Sequence, residues 1–469
     1  MGEAPLDRDA EQLRRLGYAQ QLLRDMGGFA NFALSFSIIS VLTGAVTLYG
    51  HGLRFGGPLE MTLGWPLVSL LTIPVAASLS QLASSYPTAG ALYHWAAILG
   101  GRGAGFFTAW LNCIGQFAIT AGIDYGLSQF LVALLGLPPE RTVAVYALVL
   151  LSHAGLNHLG VRLVARLNDL SAWVHIAGVA VLVGAVALFA PHKPAGFLVT
   201  AFTDGPRPYW LGFLLGLLQA GWTFTGFDAS AHVSEETHDP TRNAAWGIFL
   251  SVVVSGVVGW ALLLGVTLAI GDLRAAVAAD NPFIHILRTA LGTSVGGALV
   301  WVAMVAMWFC GLSSVTSNSR MLFAFARDGG LPFSRKLASV SPRYRSPHAA
   351  VWVSAAAAFA VALWANAYSA MTALSTIALY ASYGLPIWVG LRARRSGRWS
   401  SFGPWDLGRW SAPMNIAALL WVCALTVLFV LPPNELAGYT FGGALVVLVA
   451  YWFFWMRKRF KGPPGVTRA

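Results

Sequence analysis

Long apolar runs alternate along the chain with short breaks rich in charge, proline or glycine, and within each run polarity does not alternate. A helix needs about 20 apolar residues to cross the hydrocarbon core of a bilayer, whereas barrel strands show short alternating segments. The pattern therefore predicts an all-α membrane protein. Twelve transmembrane helices are expected, near 27–50, 61–84, 102–135, 142–161, 167–190, 209–232, 244–270, 291–317, 347–365, 370–390, 414–430 and 439–456. The Ala/Gly-rich third and eighth are long enough to be strongly tilted. No sizeable soluble domain fits beside them.

Composition and charge sharpen this picture. Of 469 residues, 57% are hydrophobic and 10% charged, against about 25% charged in a soluble domain. The net charge of +11 would point to nucleic acid in a soluble protein, but here the placement of the basic residues is a topology signal. With the N-terminus inside, the tail at 1–26, the even-numbered loops and the tail at 457–469 hold 24 of the 30 Lys and Arg, and the odd-numbered loops hold 6. Both termini are thus expected in the cytoplasm. No basic residue falls in the interior of a span, and no nucleic-acid partner is expected. Arg392, Arg394, Arg395, Arg398, Arg457, Lys458, Arg459 and Lys461 would face anionic lipid headgroups. Cys113, Cys310 and Cys423 lie in apolar stretches, so neither a disulfide framework nor a thiolate metal site is indicated. Residues 1–26 lack the apolar run of a cleavable signal. The loop 318–346 reads as a connector between two halves, with an interfacial helix and turn at Ser334–Lys336, Arg343 and Arg345. The break Tyr86–Tyr93 reads as a short re-entrant or surface-lying segment.

Ionisable groups and helix breaks at membrane depth are site candidates, because each is costly there. The sixth span runs Gly221-Trp222-Thr223-Phe224-Thr225-Gly226-Phe227-Asp228-Ala229-Ser230-Ala231-His232, with Gly226 mid-span and Asp228 beside it. A helix interrupted here would turn half-helix dipoles and unpaired backbone groups toward a cavity. The plainer reading is a helix whose polar residues bind its neighbours. In the first span, Ser40-Val41-Leu42-Thr43-Gly44 carries a matching weakness near its centre. The two lie five helices apart, an odd number, so two such repeats run in opposite senses through the membrane, as in secondary transporters.

At these residues the chain resembles a known family. Trp222 to Glu236, with Gly226-Phe227-Asp228-Ala229 and the terminal Glu235-Glu236-Thr237, is similar to helix 6 of the amino acid-polyamine-organocation (APC) permeases. Ser314 to Gly329 resembles that superfamily's eighth helix and following loop. Phe36 to Gly44 together with Pro87 to Trp95 resembles the amino acid/choline branch, which includes carriers of γ-aminobutyrate, choline and basic amino acids. The resemblance covers about 30–390. It implies a LeuT-like five-plus-five inverted repeat, 27–190 and 209–390, with discontinuous helices 1 and 6, followed by helices 11 and 12 at 414–456. It also implies a substrate enclosed by helices 1, 3, 6, 8 and 10. Ser40, Val41, Leu42, Thr43, Gly44, Gln116, Trp222, Phe224, Thr225, Gly226, Phe227 and Asp228 are then the expected substrate contacts. One departure stands out: the usual Gly-x-Gly of helix 1 is replaced by Ser40-Val41-Leu42-Thr43-Gly44.

His175, alone in the fifth span, falls where the resemblance places a lysine in proton-coupled relatives. Its side chain exchanges protons in the physiological range, and Ser313, Ser314 and Ser317 are the expected partners on helix 8. A neutral, satisfied core histidine is the alternative. Gln116 is either substrate-facing or an interhelical hydrogen-bonder, and Asp124 reads as an acid reaching an outer vestibule, with direct contact to a cationic substrate as the alternative. Glu235 and Glu236 form an expected inner gate, or else a solvated helix end. The other histidines, among them His153 and His158, lie near loops without metal spacing. No phosphate loop is present, which disfavours an ATP-driven pump. The expectation is a cytoplasmic-membrane carrier of amino acids or small amines, coupled to protons and needing no cofactor. Sodium coupling, exchange and, further off, a membrane-embedded enzyme are the alternatives.

Overall fold

A computed structural model describes residues 5–364, 368–464 and 466. Residues 1–4 of the N-terminal tail, residue 365 of the ninth predicted span, and 465 and 467–469 of the C-terminal tail lie outside the described residues. The described chain is helical throughout, with a single isolated β-bridge between Met26 and Thr237. Among the described residues, nine helices are long and apolar enough to cross a membrane: Gly28–Thr47, Tyr49–Ser85, Arg102–Leu135, Arg162–Phe189, Pro240–Leu268, Pro282–Arg327, Tyr368–Arg395, Gly408–Leu428 and Glu435–Arg459. Thr142–His158 and His348–Trp364, at the fourth and ninth predicted spans, are shorter, and the sixth is broken into pieces.

The burial pattern fits a bilayer rather than water. Leu148, Leu188, Phe189, Val446 and Phe454 stand on the outside, while serines, threonines and the side chains of Asn31, Asn112, Asn157 and Arg320 are buried inside. Exposed apolar side chains cost nothing against lipid tails, and buried polar groups hold helices together there.

The two broken helices run side by side in opposite directions. The first starts at Gly28 where the sixth ends, since Met26 accepts from the His238 amide at 2.9 Å and Glu236 accepts from Asp25 and Met26. Ser35 Oγ donates to the Phe227 carbonyl at 2.8 Å, and Asn31 Nδ2 to the Ser230 carbonyl at 2.9 Å. Beyond the breaks, Gln219 Nε2 donates to the Ala45 carbonyl at 2.8 Å.

Several expectations are corrected. The eighth-span helix does not stop at 317 but continues to Arg327, so 318–327 is helix and Arg320 is fully buried in it. Only the short Ser334–Leu337 helix occupies the expected connector position. The break at Tyr86–Tyr93 is not surface-lying: Thr88, Ala89 and Tyr93 are buried, and Ala91–Gly100 packs against Arg102–Leu135 and Tyr368–Arg395. The first span also extends past residue 50, through Tyr49–Leu59 with a turn at Gly57, into a π-helical segment at Glu60–Gly64.

Candidate functional site

The break in the first span is built by Ser40, whose φ of 26° ends Gly28–Ile39, and the helix restarts at Gly44. β-Branched Val41 and Thr43 beside Gly44 favour this interruption. In the sixth span the helix ends at Thr223 and restarts at Ala229. Between them Gly226 has φ +79°, a conformation that disfavours any side chain. The two interruptions touch: a Cβ at Gly226 would sit 2.3 Å from Ile38 Cγ2, and one at Gly44 2.3 Å from Thr223 Oγ1.

Backbone groups freed by the breaks are only partly paired. Ser40, Thr43, Gly44 and Phe224 amides bond to nearby carbonyls, the Gly226 amide donates to Tyr383 Oη at 3.0 Å, and Tyr380 Oη donates to the Phe224 carbonyl at 2.8 Å. The amides of Val41, Leu42, Thr225 and Phe227 make no hydrogen bond among the described residues, although all four residues are buried. Unpaired buried donors are rare in folded proteins, and here they cluster at two helix interruptions.

Asp228 is the polar hub of the second break. Its Oδ1 accepts from Tyr383 Oη at 2.8 Å, and its Oδ2 accepts from Asn112 Nδ2 and His232 Nε2, both at 3.0 Å. His232 Nδ1 in turn lies 3.1 Å from the Ala89 carbonyl oxygen. Tyr383, Asn112 and His232 are contacts that sequence reasoning did not assign to Asp228. The spacing of Asp228 and His232 by one helical turn was the available signal for one of them.

Between the breaks lies a cavity of only about 10 Å³, lined by Ile38, Ile39, Thr43, Gly44, Ile119, Ile123, Trp222 and Thr223. That is room for about one water. Of the expected contacts, Thr43, Gly44 and Trp222 reach it. Gln116 does not: its Nε2 donates to Ser317 Oγ at 3.3 Å, and Ile119 and Ile123 present the same helix face to the cavity. On the side away from Glu235, a cavity of about 820 Å³ reaches down to Thr47 and Tyr368. Tyr368 stands edge-on to Trp222, with ring centroids 6.0 Å apart, and so separates the two spaces.

At the opposite end the closure is thick. Glu235 and Glu236 are fully buried, not solvated, and meet Arg327 and Arg320 at 2.8 Å. Burial by itself raises the Glu235 carboxyl, but the Arg327 guanidinium and the Ala89 amide outweigh it and hold the group below its ordinary value. The N-terminal tail seals this layer. Gln20 donates to the Glu235 carbonyl at 2.7 Å, Arg24 to the carbonyls of Ser234 and Thr237, and Tyr18 and Tyr93 to Asp328. Burial pushes the Asp328 carboxyl up, with those two hydroxyls acting in the other direction.

His175 sits against the first break. Its Nδ1 lies 2.8 Å from the Ser171 carbonyl and its Nε2 2.8 Å from Ser40 Oγ, which also bonds Thr43 Oγ1 at 2.7 Å. The structure gives Ser313, Ser314 and Ser317 no bond to it; their partners are Asn168, Thr120 and Gln116. Asp124 does not reach a vestibule. It is fully buried and paired with His153 Nδ1 at 3.0 Å, so His153 is likewise a core residue. Among the described residues, no group of three or more His, Cys, Asp or Glu could hold a metal ion.

Comparison with known proteins identifies the family. A family model described as "Amino acid permease" matches residues 27–455. The amino-acid permease BAT1 homolog of rice (Oryza sativa subsp. japonica) is 37% identical, covering 96% of this chain and 95% of its own. The amino-acid permease BAT1 of Arabidopsis thaliana is also 37% identical, covering 98% and 96%. An uncharacterized amino-acid permease of Schizosaccharomyces pombe is 27% identical over 97% of this chain and 87% of its own. These are transport proteins, not enzymes, and the apolar helices agree with a multi-pass membrane protein. The chain belongs to the amino acid permease family.

Proposed function

We propose that this permease moves an amino acid across the cytoplasmic membrane by alternating access, with both termini in the cytoplasm and the substrate held between the two helix breaks. The observation that carries this reading is the pairing of those breaks, which leave the amides of Val41, Leu42, Thr225 and Phe227 free and bring Thr43, Gly44, Trp222 and Thr223 to one small cavity. The amides of Val41 and Leu42 precede the restarted helix at Gly44, where the positive end of its dipole suits a substrate carboxylate. Carbonyls of the interrupted segments suit the ammonium. Ile119, Ile123 and Trp222 would surround an apolar side chain, and Asp124 is already committed to His153, which argues against a cationic one.

Twelve helices in a five-plus-five inverted repeat, 27–190 and 209–390, account for the antiparallel placement of the breaks, with 414–456 outside the repeat. In the cycle, Glu235–Arg327 and Glu236–Arg320 act as the inner gate and Trp222 with Tyr368 as a thin outer one. Entry requires the outer halves of the broken helices to move, because the cavity holds about one water. Coupling to protons fits His175, whose bond to Ser40 holds the first break. A thermal-shift screen of purified protein over amino acids and amines tests the substrate class, since a ligand that binds the folded state stabilises it. Stabilisation by small apolar amino acids supports the reading; stabilisation by choline or polyamines alone contradicts it.

A further inference from the structure

Glu60 opens the π-helical turn Glu60–Gly64 between Tyr49–Leu59 and Trp65–Ser85. It is fully buried, and neither carboxyl oxygen has a hydrogen-bond partner. Four glycines form a cradle around it. An added Cβ would lie 2.5 Å from Oε2 at Gly52, 2.4 Å from Cβ at Gly56, 2.7 Å from Oε1 at Gly64 and 2.9 Å from Cγ at Gly216. Gly52 and Gly56 belong to the far half of the first broken helix and Gly216 to the far half of the sixth, so the acid is clasped by both.

Charged and titratable groups on the surrounding elements are engaged elsewhere. Tyr49 bonds Thr267, His51 the Leu215 carbonyl, Arg54 the Val277 carbonyl and Tyr209 the Gly56 carbonyl, while Arg207 lies over the Phe55 ring. No ion pair to Glu60 forms among the described residues. Arg207 Nη1 and Thr203 Oγ1 are also unpaired nearby, but the unpaired group at the cradle itself is Gln219 Oε1, which would lie 3.1 Å from the same Cβ position at Gly52; its Nε2 is already donated to Ala45. Two acceptor-bearing groups thus share one gap with no hydrogen between them. An ionised carboxylate in this cradle would have neither solvent nor a donor, a state the apolar interior penalises heavily. π-Turns of this kind frequently mark functional positions.

We propose that Glu60 is a proton-binding site that reads the packing of the two far half-helices. It carries a proton on its carboxyl, directed toward Gln219 Oε1, while the halves are together, and returns that proton to water when they part. The proton site stands on the cradle geometry; only the motion rests on the transport reading. Infrared difference spectra of purified wild type minus Glu60→Gln at neutral pH, without substrate, test the first part. The expected difference is the carbonyl stretch of one protonated carboxylic acid. Loss of carboxylate stretches instead overturns the proposal. Glu60→Met, apolar and similar in length, gives the same readout should Glu60→Gln not fold. For the second part, thiol labelling at Ser369→Cys in the large cavity, divided by the rate of a free thiol at the same pH, should rise with pH in a Glu60 background and stay flat with Glu60→Gln. Equal pH dependence in both, or labelling that follows sodium at fixed pH, overturns it. The infrared result stands whether or not amino acids are transported.

Discussion

His232 Nε2 lies 3.0 Å from Asp228 Oδ2, one helical turn away, while its Nδ1 lies 3.1 Å from the Ala89 carbonyl oxygen. Both ring nitrogens therefore face acceptors. Asp228 accepts from Tyr383 and Asn112 as well, so its carboxyl gathers three partners from three elements. The pair ties the second break to the buried Pro87–Gly90 segment.

Removing either side chain leaves buried polar atoms of its partners unsatisfied, at a cost of about 1–3 kcal/mol. Asp228→Ala and His232→Ala should each lower the thermal stability of purified protein markedly, and the double variant should be less damaged than the two losses added together. A coupling of about 1–3 kcal/mol is expected. Additive losses would mean that the two side chains act independently.

The Gly226 conformation leads to a steric prediction. Ala at φ +79° costs about 1–2 kcal/mol in strain, and its methyl meets Ile38. Gly226→Ala should weaken substrate binding about tenfold or more in calorimetric titration, and Ile38→Ala added to it should recover part of that affinity. Normal affinity in Gly226→Ala would remove this break from the binding site.

At the inner closure the sign with pH follows from Glu235. Its carboxyl is lower in the folded protein than in the unfolded chain, so the contribution to closure is present above the unfolded value, about 4.3, and is lost as pH falls through the lower folded one. Protection of residues 20–24 against hydrogen exchange, taken relative to the intrinsic rate at each pH, should be steady between about pH 5 and 8 and fall only under stronger acid. Arg327→Ala should lower it at neutral pH. Protection that falls steadily from pH 8 to 6 would place control of the closure in another group.

His175→Ala should impair uptake driven by a pH gradient much more than equilibrium substrate binding, because its contact is with Ser40 at the break and it does not line the small cavity. If His175→Ala protein accumulates substrate like wild type across imposed gradients, the imidazole is a satisfied core residue.

The broken helices were legible because glycine and β-branched residues at mid-span weaken a helix wherever it packs, and the ends of most spans followed from hydropathy. What escaped was pairing across sequence distance. Arg320 and Arg327 read as loop residues because a buried arginine in a membrane helix is tolerable only with a partner, and Glu236 and Glu235 are 84 and 92 positions away. Asp124 reads as seeking water because nothing local in the sequence shows that His153 meets it. Glu60 fell just before the second apolar run, and its glycine cradle combines helices distant in the chain.

Counterflow in liposomes tests the central claim most directly. Vesicles carrying purified protein and loaded with an unlabelled amino acid that stabilises it should transiently concentrate the labelled compound, without altering it, and Gly226→Ala vesicles should not. Labelled compound that only equilibrates, or overshoots equally with Gly226→Ala, would contradict a carrier whose substrate sits between the two breaks.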